Sequence, residues 1–235
     1  ERRLAAARAV DEIEDGMFVG LGTGSTTAYA IKSLSDRIRQ GLRITAVATS
    51  RATEMFARRL AVPLVPFEQF SSVDLTIDGA DEIDSELRLI KGGGGALLRE
   101  KIVATASDRM IVIADASKQV SKLGVFPLPV EVVRFGMNAT RNMIEMLAAD
   151  AGCQGEVTLR AKSDGTPFLT DSGNVIFDCA FGPIDDPESL DEALKFIPGV
   201  VENGLFLGIA DAAIIGGPDG VAVIEAQYGE NQEAV

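Results

Sequence analysis

Between residue 1 and about residue 126 the chain switches repeatedly between short apolar runs and stretches with helical spacing, and few architectures accept that alternation. ERRLAAARAVDEI predicts a helix, MFVGL (17–21) a strand and STTAYAIKSLSDRIRQ (25–40) an amphipathic helix; LRITAVAT then returns as a strand and RATEMFARRL as a further helix. VDLTI (73–77) and RMIVIA (109–114) are apolar and β-branched, as the middle of a parallel sheet requires. Strands joined by crossover helices imply an α/β fold built on a doubly wound, mostly parallel, Rossmann-like sheet. The pattern changes at FPLPVEVV (126–133), where two prolines punctuate the chain. FLTDSGNVIFDCAF (168–181) reads as a hairpin around DSGN. PESLDEALKFI reads as a helix with Pro187 in its first turn and Pro198-Gly199 closing it. The expectation is a second, smaller α+β domain over 127–203. AAIIG (212–216) and VAVIE (221–225) are expected to rejoin the first domain, made of 1–126 plus 204–235, and the polar tail QYGENQEAV reads as mobile.

A chain of 235 residues with 46% hydrophobic and 24% charged residues can bury a sizeable core. Its 22 basic against 35 acidic residues give a net charge of −13, which repels nucleic acid and anionic membranes. Any small anion must therefore be held by local donors. No run of about 18 apolar residues suggests a membrane span, and ERRLAAARAV lacks the apolar centre of a signal peptide, so a cytoplasmic location is expected. The two cysteines, Cys153 and Cys179, build no disulfide framework and no CxxC pair. The chain has no histidine, which removes Ser-His-Asp and Cys-His catalysis and histidine metal sites together. Acid–base chemistry is left to carboxylates, Lys and Tyr.

GLGTGSTT (20–27) lies between a predicted strand and a predicted helix, so N–H groups converge there at a helix N-terminus. Thr23, Ser25 and Thr26 add hydroxyls beside Gly24. Ser25 stands where a dinucleotide fingerprint has its third glycine, the next strand ends in Thr49-Ser50 rather than an acid, and a Walker A lysine is missing. A small phosphate ester fits this loop better than NAD or ATP, although a tight turn with a serine cap would read the same way.

VDLTIDGADEID places Asp78 at the C-terminal end of a buried strand, where ligand sites of open α/β sheets collect, with Asp81 three residues on. Glu82 and Asp84 read as solvated. A metal is the competing reading of this cluster, but its spacing matches no Ca²⁺ loop. In KGGGGALLREKIVATA a glycine loop enters a helix, so Lys91 and free N–H groups could surround a developing oxyanion. Helical spacing puts Glu100 on one stripe with Ala96, Leu97, Val103 and Ala104, and leaves Lys101 and Thr105 on the polar side. A desolvated glutamate has its pKa pushed upward, as a carbon-acid base working near neutrality needs. Base, oxyanion donors, further carboxylates and a phosphate loop together specify proton transfer next to the carbonyl of a sugar phosphate, with no redox cofactor.

GLGTGSTT, TSRATE, DGADEID, KGGGGALLREK, IADASK, FPLPVEV, TDSGN, IPGVVENGLF and PDGV occur in this order over nearly the whole chain, which thereby closely resembles ribose-5-phosphate isomerases of the A type. The resemblance implies interconversion of D-ribose 5-phosphate and D-ribulose 5-phosphate through an enediolate, without metal or organic cofactor, in the non-oxidative pentose phosphate pathway. It implies Glu100 as general base, with Asp78, Asp81 and Lys91 as the other catalytic groups. Substrate-contacting loops match Thr23, Gly24, Ser25 and Thr26 and the stretch Gly92, Gly93, Gly94, and the lysine of ADASK matches Lys118. Where the family often has an N-terminal lysine at the phosphate, this chain has Arg2 and Arg3. An amino-sugar phosphate deaminase shares the first loop but not the DGADEID and KGGGG pair. A sugar-phosphate sensor attached to a DNA-binding segment would lack the acids found here. Strand edges in the smaller domain make a homodimer or homotetramer the expected assembly.

Overall fold

A computed structural model describes residues 1–226, so the tail QYGENQEAV lies outside the described residues. The strands are β1 (Phe18–Leu21), β2 (Thr45–Ala48), β3 (Leu75–Gly79), β4 (Glu82–Ile83), β5 (Leu89–Ile90), β6 (Met110–Asp115), β7 (Leu128–Val132), β8 (Glu156–Leu159), β9 (Val175–Ala180), β10 (Val200–Asn203), β11 (Leu205–Phe206), β12 (Ala212–Gly217) and β13 (Gly220–Glu225). The helices are α1 (Arg2–Val10), α2 (Ser25–Arg39), α3 (Arg51–Arg59), α4 (Leu97–Thr105), α5 (Met137–Asp150) and α6 (Pro187–Lys195).

The main sheet has the order β13-β12-β6-β3-β1-β2, with every pairing parallel except β12–β13. Both faces are covered, as the apolar strands require. Ile111 and Ile113 of β6 pack with α1 and α2, while Val112 and Ala114 point to the opposite cluster with Ala104 of α4. From β1 the chain runs outward to β2 and then returns to the other side of β1 as β3. That reversal opens a crevice beyond the C-terminal ends of β1 and β3, where ligands of such sheets bind.

A four-stranded antiparallel sheet, β10-β7-β9-β8, carries α5 and α6 over its own core. Asp186 caps α6 by accepting the Ser189 N–H, with Pro187 at its start. A small third sheet, β11-β5-β4, brings the chain after β10 against the residues just before Lys91.

The hairpin expected over 168–181 is only half present. Its DSGN turn closes through Thr170 and Asn174, and β9 follows, but residues 168–170 form no strand and β9 pairs with β7 and β8 instead. The first arm is diverted by tertiary contacts, since Phe168 packs against Gly95 and Thr170 Oγ1 bonds the buried Glu131.

Candidate active site

Asp78, next to the last residue of β3, has no exposed surface, and its Oδ1 accepts the N–H groups of Gly79 (2.7 Å) and Thr23 (3.1 Å). Gly22 has to be glycine here, because a Cβ would lie 1.9 Å from Asp78 Oδ1. Lys91, also buried, places Nζ 2.9 Å from Asp78 Oδ2 and 3.5 Å from Glu100 Oε1, and donates to the Gly79 carbonyl at 2.5 Å. The Phe206 ring lies 5.3 Å from the same ammonium. Glu100 faces inward from the first turn of α4, 3% exposed, and its Oε2 has no hydrogen-bond partner among the described residues. Two carboxylates and an ammonium thus meet in a buried pocket.

Burial pushes the Glu100 carboxyl up to about 8, and the nearby Asp78 charge adds to the shift while Lys91 opposes it. Burial raises Asp78 as well, against the pull of Lys91 and its two N–H bonds. Burial alone would lower the Lys91 ammonium, but Asp78 and then Glu100 hold it above its ordinary value. Protons leave this cluster as a set rather than residue by residue.

Asp81 is half-buried at the rim and accepts the Gly93 N–H at 2.7 Å. The Gly92–Gly95 loop therefore lies directly over Asp81, and a Cβ on Gly93 would meet its Oδ1 at 2.7 Å. Gly92 (φ 110°) and Gly95 (φ 76°) hold conformations that only glycine adopts readily.

The first glycine loop arrives on the other side of the crevice. Gly24 (φ 135°) precedes α2, whose first turn offers N–H groups lacking intrahelical partners, with Ser25 exposed and Thr26 half-buried. Thr23 is turned inward: its hydroxyl meets those of Thr49, Ser50 and Thr53 at 2.8–3.1 Å, and its N–H belongs to Asp78. Arg2 reaches this loop, donating to Asp115 at 2.6 Å and to Ser25 Oγ at 3.1 Å, whereas Arg3 is exposed. Lys118, half-buried just beyond β6, has no ion pair among the described residues.

Two acids and a base depart from the sequence reading. Glu82 and Asp84 are buried, not solvated. Glu82 accepts the N–H groups of Gly124 (2.7 Å) and Phe126 (2.5 Å), while Asp84 accepts those of Glu86 and Arg88 together with the Arg88 Nε. Lys101 is buried rather than on a polar face, because Glu202 and the Asn203 carbonyl receive it across the interface with β10. Arg160, which no local pattern singled out, donates to the Gly92 carbonyl at 2.7 Å. A hollow of about 610 Å³ touches α4 through Leu98, Arg99 and Ile102, but neither Glu100 nor Lys91 lines it. The two carboxylates and the ammonium lie in the charged crevice instead.

Residues 45–220 match the family model for ribose 5-phosphate isomerase A (phosphoriboisomerase A). A ribose-5-phosphate isomerase A from Sphingopyxis alaskensis is 60% identical over 223 residues, 95% of each chain. The chain belongs to the ribose 5-phosphate isomerase A family. It interconverts D-ribose 5-phosphate and D-ribulose 5-phosphate in the pentose phosphate pathway. The ribose-5-phosphate isomerase A of Methylorubrum extorquens is similarly close, at 55% identity over 228 residues, 97% of each chain. Among solved structures, a D-ribose-5-phosphate isomerase in complex with phospho-erythronic acid matches this isomerase with a TM-score of 0.89 at 39% identity. The match covers 95% of this chain and 97% of that one. No helix among the described residues of this isomerase is long and apolar enough to cross a membrane.

Proposed function

We propose that the isomerisation runs by carboxylate-catalysed proton transfer through an enediolate, with Glu100 moving the proton between C2 and C1. The observation that carries this reading is the desolvated Glu100, which keeps one oxygen unpartnered 3% exposed to solvent beside a buried ammonium. A base held at about 8 is strong enough to deprotonate a carbon acid and is partly ionised near neutrality. Lys91 and N–H groups of the Gly92, Gly93, Gly94 stretch, where the Gly93 N–H is shared with Asp81, hold the oxyanion charge as it develops. Asp81, at the rim, is the better placed aspartate to exchange hydroxyl protons while the furanose ring opens. Asp78 has no exposed surface and serves as the partner that keeps Lys91 charged and in place. The related isomerase bound phospho-erythronic acid, a sugar-acid phosphate whose planar carboxylate, like an enediolate, carries negative oxygen on planar carbon; this supports the same path here.

The phosphate is assigned to the N-terminus of α2, at Gly24, Ser25 and Thr26, with Arg2 supplying charge and Lys118 a second cation. Replacing Arg2 by Met should raise KM for ribose 5-phosphate about tenfold with kcat nearly unchanged, the loss expected for one charge-assisted hydrogen bond. Unchanged KM would remove Arg2 from the phosphate site. No metal or organic cofactor enters this scheme, and Lys91 provides the cation among the carboxylates.

The mechanism is tested by incubation with ribose 5-phosphate in heavy water containing EDTA. Ketose should form and deuterium should enter at carbon. A reaction halted by EDTA, or one with no solvent label under any condition, would count against it. The assembly assigned is a cytoplasmic homodimer or homotetramer, built from units 1–126 plus 204–235 and 127–203. The boundary at 203/204 is supported by β10 ending in one sheet and β11 beginning in another. Light scattering that returned the 24.8 kDa of one chain would overturn the assembly, and fractionation and limited proteolysis test the location and the boundary.

A further inference from the structure

We infer that Arg160, just after β8 of the four-stranded sheet, is a positioning residue for the reaction: it grips the carbonyl side of the glycine loop and thereby aims that loop's N–H groups into the crevice. The inference rests on the role given above to the loop and to Glu100, and it deepens that role.

Four consecutive glycines are the most mobile backbone a chain can place in an active site, and fixing each one costs conformational entropy. Donors to a developing oxyanion nevertheless have to stand at about 2.7–3.1 Å from it. Something rigid must hold the loop, and it has to act from outside. Arg160 Nη1 donates to the Gly92 carbonyl at 2.7 Å and to the Gly93 carbonyl at 3.3 Å. Each of those oxygens shares a planar trans peptide with the N–H of the next residue, which points the opposite way. Holding Gly92 O fixes the Gly93 N–H, and that N–H meets Asp81 Oδ2 at 2.7 Å on the crevice side. Holding Gly93 O fixes in the same manner the direction of the Gly94 N–H. A cation on the two carbonyls also polarises the amides and strengthens them as donors.

Arg160 is itself held on three sides. Its Nε donates to Asp178 Oδ2 at 2.9 Å and its Nη2 to the other oxygen of the same carboxylate, so the fork is fixed in a plane on β9. The Phe168 ring lies 5.9 Å from the guanidinium and packs against Gly95, at the other end of the loop. The clamp thus runs from Arg160 to Asp81 through the Gly92–Gly93 peptide plane, and a second bond grips the next plane at Gly93 O. A purely structural ion pair would need only Asp178. The two additional bonds go to the one stretch of backbone assigned to the reacting oxygen.

The test compares Arg160→Met and Arg160→Lys with the unaltered enzyme. Arg160→Met should lower kcat about 10- to 100-fold, below the loss expected for removing an oxyanion donor outright, and move KM for ribose 5-phosphate less than threefold. Arg160→Lys keeps the charge without the fork and should fall between. Methylguanidine added to Arg160→Met should restore part of kcat, a response that general destabilisation would not give. Wild-type kcat in either folded variant, or a loss confined to KM, would overturn the inference. Should the Met variant fail to fold, the Lys variant decides alone. A normal Arg160→Lys beside an inactive Glu100→Gln would reject Arg160 and leave the base assignment standing, whereas normal activity in both would reject the assignment beneath it.

Discussion

Glu100→Gln is expected to lower kcat at least ~10²-fold while leaving substrate affinity close to normal, because the amide keeps the shape and loses only the basicity. The buried Oε2 is the atom at stake: it has no internal hydrogen bond to lose, so besides the proton acceptor the substitution removes the carboxylate charge that faces Lys91 at 3.5 Å. The pH dependence sharpens the test. A base acts as its carboxylate, and burial holds this one at about 8, so kcat/KM of the wild type should climb with pH through neutrality and level off above about 8. Residual activity of the variant should lack that limb. Stability must move in the opposite sense. A carboxyl near 8 in the fold and near 4.5 when unfolded binds more protons folded than unfolded between those values, so its contribution falls as pH rises across that window. The glutamine cannot ionise, so thermal melts should show the variant losing less stability than the wild type from pH 6 to pH 9. Near-normal turnover in the variant would end the base assignment.

That Glu100 is buried could be read from spacing alone, because an acid falling on the stripe of Leu97, Val103 and Ala104 has nowhere else to point. The same reasoning failed one residue later. Lys101 belongs to the polar side of an isolated helix, but β10 arrives from about a hundred residues downstream with Glu202 and a carbonyl to receive it. The parallel sheet was legible for a similar reason to Glu100: strands apolar on both faces leave few partners other than helices on each side. Glu82 and Asp84 were misread because the N–H groups that bury them belong to turns, and turn geometry leaves little trace in side-chain pattern. Arg160 was invisible for a stronger reason. Its partners are backbone oxygens of glycines 67 and 68 positions away, and backbone atoms have no sequence signature.

Lys91→Met should be the most damaging single change, and its signature lies in pH as much as in rate. The ammonium is 2% exposed, 2.9 Å from Asp78 and 3.5 Å from Glu100. Methionine fills much of the same volume and removes the positive charge that lies between the two acids. Losing one partner of a buried ion pair typically destabilises by ~3–5 kcal/mol, and losing a group that faces the developing oxyanion lowers kcat by ~10²–10³. Without the cation, burial and mutual repulsion act on Asp78 and Glu100 unopposed, so both hold protons in the fold to higher pH than in the wild type. Both would still ionise near pH 4 when unfolded. Folded protein then binds more protons than unfolded above pH 4, and the variant's stability drops as pH rises until the folded carboxyls ionise. The melting-temperature gap between variant and wild type should therefore be smallest near pH 5 and widen toward pH 8. Parallel curves would mean that Lys91 does not control the ionisation of the two acids. A variant that retained its turnover would move the enediolate charge onto the loop N–H groups alone.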